Sequence, residues 1–248
     1  MMTDVWTMLW KEWHELLRLG GGRRGTILRA VFSVGLLGVI WPWLIGAPFV
    51  SSGLPVLFAS ATSAMYVSAL VPDAFPGERE RHTLETLLAS RLPDSAILIG
   101  KLGATVTYGY GAALLMLLTG WLTVNLKVGA PPLLLYKAKV LLDAVVISLL
   151  SAGLMAALGA LVSLRAATVK QAQQVLTTGV MLLVLTPAIL AEAWPRGWEW
   201  LVGQFTGQRT GGGPDSMTVA FIMLAAQIML FGFVSQRFRR SQLLLERP

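Results

Sequence analysis

Six apolar runs, each close to bilayer-crossing length, constrain this chain more than any other feature. They fall at about 30–46, 53–71, 99–122, 140–163, 172–191 and 217–234. A hydrocarbon core about 30 Å thick takes roughly 20 helical residues to cross. Inside lipid every backbone donor and acceptor must find a partner within the protein, which makes each run a helix. Charge is scarce to match: 13 % of residues are charged, about half the roughly 25 % of soluble domains. The expected fold is an all-α membrane protein, with 1–248 forming a single transmembrane domain. Pro42, Pro55 and Pro187 lie within or near spans and are expected to kink them. Cysteine is absent, which excludes a disulfide framework and a thiolate metal site. No short apolar core with a small-residue cleavage site opens the chain, so the first span is expected to be retained.

Residues 3–19 precede the first span. At 100° per residue, Trp6, Leu9, Trp10, Trp13, Leu16 and Leu17 share one face. Asp4, Lys11, His14, Glu15 and Arg18 share the other. A tryptophan-bearing amphipathic helix suits the membrane interface. Gly20 to Gly22 end it. With the N-terminus inside, 15 of the 20 basic residues fall in inner segments, and only Lys127, Lys137, Lys139, Arg196 and Arg209 fall outside. That bias satisfies the positive-inside rule and puts both termini in the cytoplasm. It also accounts for the net charge of +7 without nucleic acid.

Between the second and third runs lies DAFPGERERHTLETLLASRLPDSAILIGK, Asp73 to Lys101, with nine of the 33 formal charges. So polar a stretch between two spans points to a partner in the aqueous phase. Pro72, Pro76 and Gly77 break the second span. A helix is expected over 78–90, its acidic start suited to the positive end of the helix dipole. Leu84, Leu87 and Leu88 form a narrow apolar ridge, and Arg81 can pair with Glu85 four residues on. Pro93 stops this helix, and Asp94 or Ser95 can cap the next. Lys101 is expected to snorkel to the headgroups. The other face mixes charge signs, where an anionic leaflet would select lysine and arginine, so a protein partner fits better than lipid.

These residues resemble a family. Glu78-Arg79-Glu80-Arg81-x-Thr83-Leu84-Glu85-x-Leu87-Leu88-Ala89, then Ile97-Leu98-x-Gly100-Lys101, resembles the signature of type-2 ABC transporter permeases. The layout is similar too: an N-terminal interfacial helix, six spans, and the motif between the second and third. Two positions depart from the pattern: His82 stands where glycine is usual, and Arg91 replaces a common proline. The haem-exporting permeases of cytochrome c maturation share a related layout, which leaves the substrate open. The resemblance implies that 78–90 is a cytoplasmic coupling helix, with Glu78, Glu80 and Glu85 touching a nucleotide-binding subunit. It further implies a dimer of permease chains, homo- or heterodimeric, that encloses an export path in the inner membrane. ATP and Mg would be bound by the partner ATPase, with no cofactor in this chain.

The residues themselves offer no ATP site. GGGRRGT at 20–26 lacks the phosphate-loop lysine and any preceding strand. His14 and His82 have no metal-ligand spacing around them, and no GxSxG elbow occurs. Asp143 is the one carboxylate clearly within a predicted span, a few residues from its outer end. It is either paired with Lys139 one turn earlier, or a cation or proton site in a stand-alone transporter or channel. The fourth run carries Ser148, Ala152, Ala156 and Ala160 beside Gly153, Ala157 and Gly159. Such a face permits close helix packing, inside the chain or across a dimer. The outer segment 192–216 reads as a short re-entrant helix or as a surface loop with belt tryptophans; the family resemblance favours re-entry near 194–202.

Overall fold

The computed structural model describes residues 2–19, 35–72, 76–77, 80, 93–129, 132–166, 168–193 and 216–237. The described residues are nearly all helical. The helices are α1 (Met2–Leu19), α2 (Leu36–Ile45), α3 (Ala47–Ser51), α4 (Leu54–Pro72), α5 (Asp94–Val128), α6 (Ala138–Arg165), α7 (Val169–Ala193) and α8 (Ser216–Arg237). Four of them, α4, α5, α6 and α8, are long and apolar enough to cross a membrane. The predicted first span corresponds to the short apolar α2, with 30–34 outside the described residues, and the predicted fifth lies within α7. The expected coupling helix falls almost wholly outside the described residues, as does the proposed re-entrant segment.

Helix α4 is the spine. It packs along α6 and α5 and also meets α7, while α8 packs on α6. Small residues explain the closeness. Ser148, Ala152, Ala156 and Ala160 are all buried, and their partners lie in the same chain. Ser63 Oγ donates to the Ser148 carbonyl at 2.9 Å, and Ser163 Oγ to the Val71 carbonyl at 3.4 Å. Gly159 faces Val71, and Gly153 faces Gln227 of α8. The small-residue face therefore serves an internal seam. In hydrocarbon there is no hydrophobic drive between helices, so close packing and buried hydroxyl bonds hold such a seam.

One proline behaves differently from expectation. Pro55 sits in the first turn of α4, where its missing N–H has no intrahelical partner to lose. It opens that helix rather than kinking it. Pro42 follows a wide π turn, Leu36–Ile40, which adjoins the Trp41–Ile45 segment. Gly46 then reverses the chain at a φ of 76°, which favours glycine. Past it, Phe49 is fully buried in a cluster with Met116, Leu117 and Val124 of α5.

The same end of the bundle holds an ordered turn over 132–137. Asn125 Nδ2 donates to the carbonyls of Trp121 and Leu134, while Asn125 Oδ1 accepts the Leu134 N–H at 2.8 Å. Trp121 Nε1 also donates to the Leu134 carbonyl, at 2.9 Å. Lys127 Nζ donates to the Trp43 carbonyl, capping the end of α2. Asn125→Ala would leave the Leu134 amide without its side-chain acceptor. We expect a loss of about 2 kcal/mol, read as faster amide exchange at Leu134 and a lower unfolding temperature.

Tyr136 completes this turn by donating its hydroxyl to the Leu117 carbonyl at 3.0 Å. Burial pushes its phenol above the ordinary value. The folded state thus holds the proton more tightly than the unfolded chain does. Its contribution is fully present below about pH 10 and is lost as pH rises through the folded value. Stability is expected to fall above about pH 10 in the native chain, and Tyr136→Phe should remove that component of the fall.

Candidate functional site

Charged and polar contacts gather at the opposite end, where α4 and α6 finish and α5 and α7 begin. Helix α1 docks there against α5. Its contact face is narrow. Met8 and Glu12, one turn apart, are 2 % and 7 % exposed, whereas Trp6 and Trp10 are 66 % and 60 % exposed. Trp6 and Trp10 thus point away from the bundle, and the stripe through Met8 and Glu12, with Trp13 at its edge, makes the protein contact. Gly100 lets the two helices cross closely: a Cβ there would lie 2.7 Å from Met8. Trp13 Nε1 donates to Thr107 Oγ1 at 2.8 Å, two turns further along α5.

At the centre of this contact Lys101 Nζ meets Glu12 Oε1 at 2.9 Å. Lys101 is 1 % exposed. The expected snorkelling to headgroups does not occur: a buried carboxylate one helix away offers a stronger partner than an exposed route to the interface. Glu12 was not legible as a partner. It falls beside the tryptophan face of α1, and its only sequence signal is the i, i+4 spacing from Met8.

Helix α5 opens at Asp94 with Pro93 before it and no side-chain cap. Asp94 lies in the first turn, where its charge suits the dipole, rather than at the capping position. Helix α7 is capped from two sources. Thr168 Oγ1 accepts the Gln171 N–H at 3.2 Å, and Glu80 Oε1 accepts the Val169 N–H at 2.8 Å. Glu80 is the one described residue of the 78–90 stretch; Glu78, Arg79, Arg81, Thr83, Leu84, Glu85, Leu87 and Leu88 lie outside the described residues. Pro76 and Gly77, just before, are buried. The structure therefore brings Glu80 to the start of α7, and Lys101 to α1.

Asp143 is not part of this end. It lies half-buried in the second turn of α6, at the other end of the bundle. Lys139 is exposed, and among the described residues the two form no ion pair. A solvent-exposed lysine gains little from such a pair, which explains why spacing alone does not create it.

The first three turns of α7 carry one more feature. Gln173, Gln174, Thr177 and Thr178 are exposed, while Ala172 and Leu176 are buried. One arc of the exposed side, through Gln173, Gln174, Thr177 and Thr178, is thus polar where the helix enters the bundle, with the exposed Val175 beside it.

No curated protein matches the chain. The family model described as ABC-2 type transporter matches residues 3–204, a range that takes in α1, the charged stretch and α2 to α7. With that match, the chain belongs to the ABC-2 type transporter family and is a multi-pass membrane protein, the membrane component of an ABC transporter.

Proposed function

We propose that the chain is the permease subunit of an ATP-driven exporter. It works as a dimer in the inner membrane, with both termini in the cytoplasm and six spans per chain. Helix α1 rests in the membrane interface on its tryptophans, and 78–90 docks a separate ATPase. That partner holds ATP and Mg; this chain needs no cofactor and contacts no nucleic acid.

The observation that carries this reading is the arrangement at the charged end. There the motif-bearing stretch leaves α4, contacts the start of α7 through Glu80, and is followed by α5 with α1 docked on it. A docked ATPase would press on four elements at once. The polar side of α7 supports a path rather than a lipid-facing surface. Glutamine and threonine groups facing hydrocarbon leave hydrogen-bonding groups unpaired, at a cost of roughly 1–3 kcal/mol each. Facing a water-filled path between two chains removes that cost.

Within the stretch, Glu78 and Glu85 supply the acidic contacts and Leu84, Leu87 and Leu88 the apolar ridge. The test is charge reversal. Glu78→Lys with Glu85→Lys should strip the ATPase from the chain purified out of native membranes, while the chain itself stays folded. An ATPase that remains bound at full stoichiometry would place the docking surface elsewhere. The stand-alone reading through Asp143 finds no support in the geometry of that residue.

A further inference from the structure

We infer that Glu80 is a positioning residue that ties the ATPase-docking stretch to the fifth span. The inference rests on the docking role proposed above for 78–90.

A helix begins with N–H groups that have no partner inside the helix. In α7 the local residue Thr168 satisfies one of them, as an ordinary N-cap does. A second partner comes from 89 positions earlier in the chain, the carboxylate of Glu80 on the Val169 N–H. The bond is exposed, with Glu80 exposed and Val169 partly buried, so water could satisfy that amide as well. Helix stability alone does not call for a remote carboxylate. What the contact adds is a link between two segments that would otherwise move apart. A carboxylate suits the link, since it is held by the bond itself and by the positive end of the α7 dipole.

The link is backed on both sides. Upstream, Pro76 and Gly77 are buried, so the chain reaching Glu80 starts from a packed base. Downstream, α7 packs on α4, the helix from which the stretch emerges. One turn beyond Val169 the exposed polar side of α7 begins, at Gln173 and Gln174. Motion of the docking stretch is thereby delivered to the helix whose polar side faces the path. Glu80 therefore differs in role from Glu78 and Glu85, although all three lie in one motif.

The chain has no cysteine, so an introduced thiol is the only one in this chain and its labelling is read on this subunit's band. The experiment uses the full chain with the ATPase that co-purifies with it. Thr177→Cys reports on α7 through its rate of labelling by a polar maleimide, with and without ATP and vanadate. In the Thr177→Cys chain alone, the rate should change on trapping the nucleotide. Adding Glu80→Ala should abolish that change in the particles that keep their ATPase bound. Glu80→Gln, whose amide oxygen still accepts the Val169 N–H, should restore it. Glu78→Ala should instead weaken association.

Three results would overturn the inference. Glu80→Ala could release the ATPase as Glu78→Ala does, which would make Glu80 a docking residue. The labelling change could persist in Glu80→Ala. Or it could be absent without any Glu80 substitution. Failure of the underlying reading looks different, since then no ATPase co-purifies at all. In that case, or if Glu80→Ala does not fold, Glu80→Cys with Thr168→Cys is treated with a short bis-maleimide in native membranes. An intramolecular cross-link supports the link, and its absence rejects it.

Discussion

Glu12→Ala is expected to destabilise the chain by about 3–5 kcal/mol. The substitution takes the Glu12 carboxylate away from the Lys101 ammonium, which is only 1 % exposed. A buried charge that loses a carboxylate at hydrogen-bond distance is penalised far more than the pair itself contributes. Side-chain size matters little here; the loss comes from desolvation without compensation. Replacing both partners should therefore repair most of the damage. Glu12→Leu with Lys101→Met fills the same seam with apolar groups and is expected to come within about 1–2 kcal/mol of the native chain. Thermal unfolding in detergent, followed by tryptophan emission, reads both. The docked helix carries Trp6, Trp10 and Trp13, so its release should shift the emission before the rest of the bundle melts. A single Glu12→Ala variant as stable as the native chain would mean that water reaches Lys101.

Gly109→Val is expected to lower stability by about 3 kcal/mol, the upper end of ordinary overpacking. A Cβ at this position would lie 2.6 Å from Val67 Cγ2 and 2.9 Å from the Ser63 carbonyl oxygen. Val67 can rotate aside, but the backbone of α4 cannot yield without moving the helix. That helix also holds the Ser63–Ser148 bond to α6, so displacement spreads to the central seam. Tyr66 and Tyr108, ring centroids 5.9 Å apart, flank the same crossing. Gly111 is the control: nothing lies within 4 Å of a Cβ there. Gly111→Ala should stabilise α5 by about 0.5–1 kcal/mol through reduced backbone entropy. Equal tolerance at both positions would show that α4 and α5 do not cross closely at Gly109.

The outline of the fold was legible because the bilayer imposes a strong pattern. The predicted runs 53–71, 140–163 and 217–234 sit within a residue or three of Leu54–Pro72, Ala138–Arg165 and Ser216–Arg237. The third run was predicted too short. Helix α5 continues to Val128 before Gly129 closes it in the left-handed region. Its polar end, with Asn125 and Lys127, reads as loop by hydropathy. In the fold those two side chains secure the 132–137 turn and the end of α2. The small-residue face of α6 was visible as a pattern, but its partner was not, since spacing shows only that something comes close.

The contacts at the charged end were the least legible. Glu12 with Lys101 and Glu80 with Val169 each join positions 89 apart in the chain. No local period reports such a pairing. The wheel that groups the tryptophans of α1 describes its widest apolar face, and the buried seam is the narrower one through Met8 and Glu12. Nothing in the motif announced that Glu80 also meets a helix terminus.

The most direct test is the mass of the intact particle. The chain, tagged and extracted gently from native membranes, is weighed by native mass spectrometry and its subunits are sequenced. The account predicts a particle with two permease chains, at least one of them this 26.8 kDa chain, and two ATPase subunits carrying a phosphate loop. A particle made of this chain alone, which still moves solute in vesicles without ATP, would contradict it.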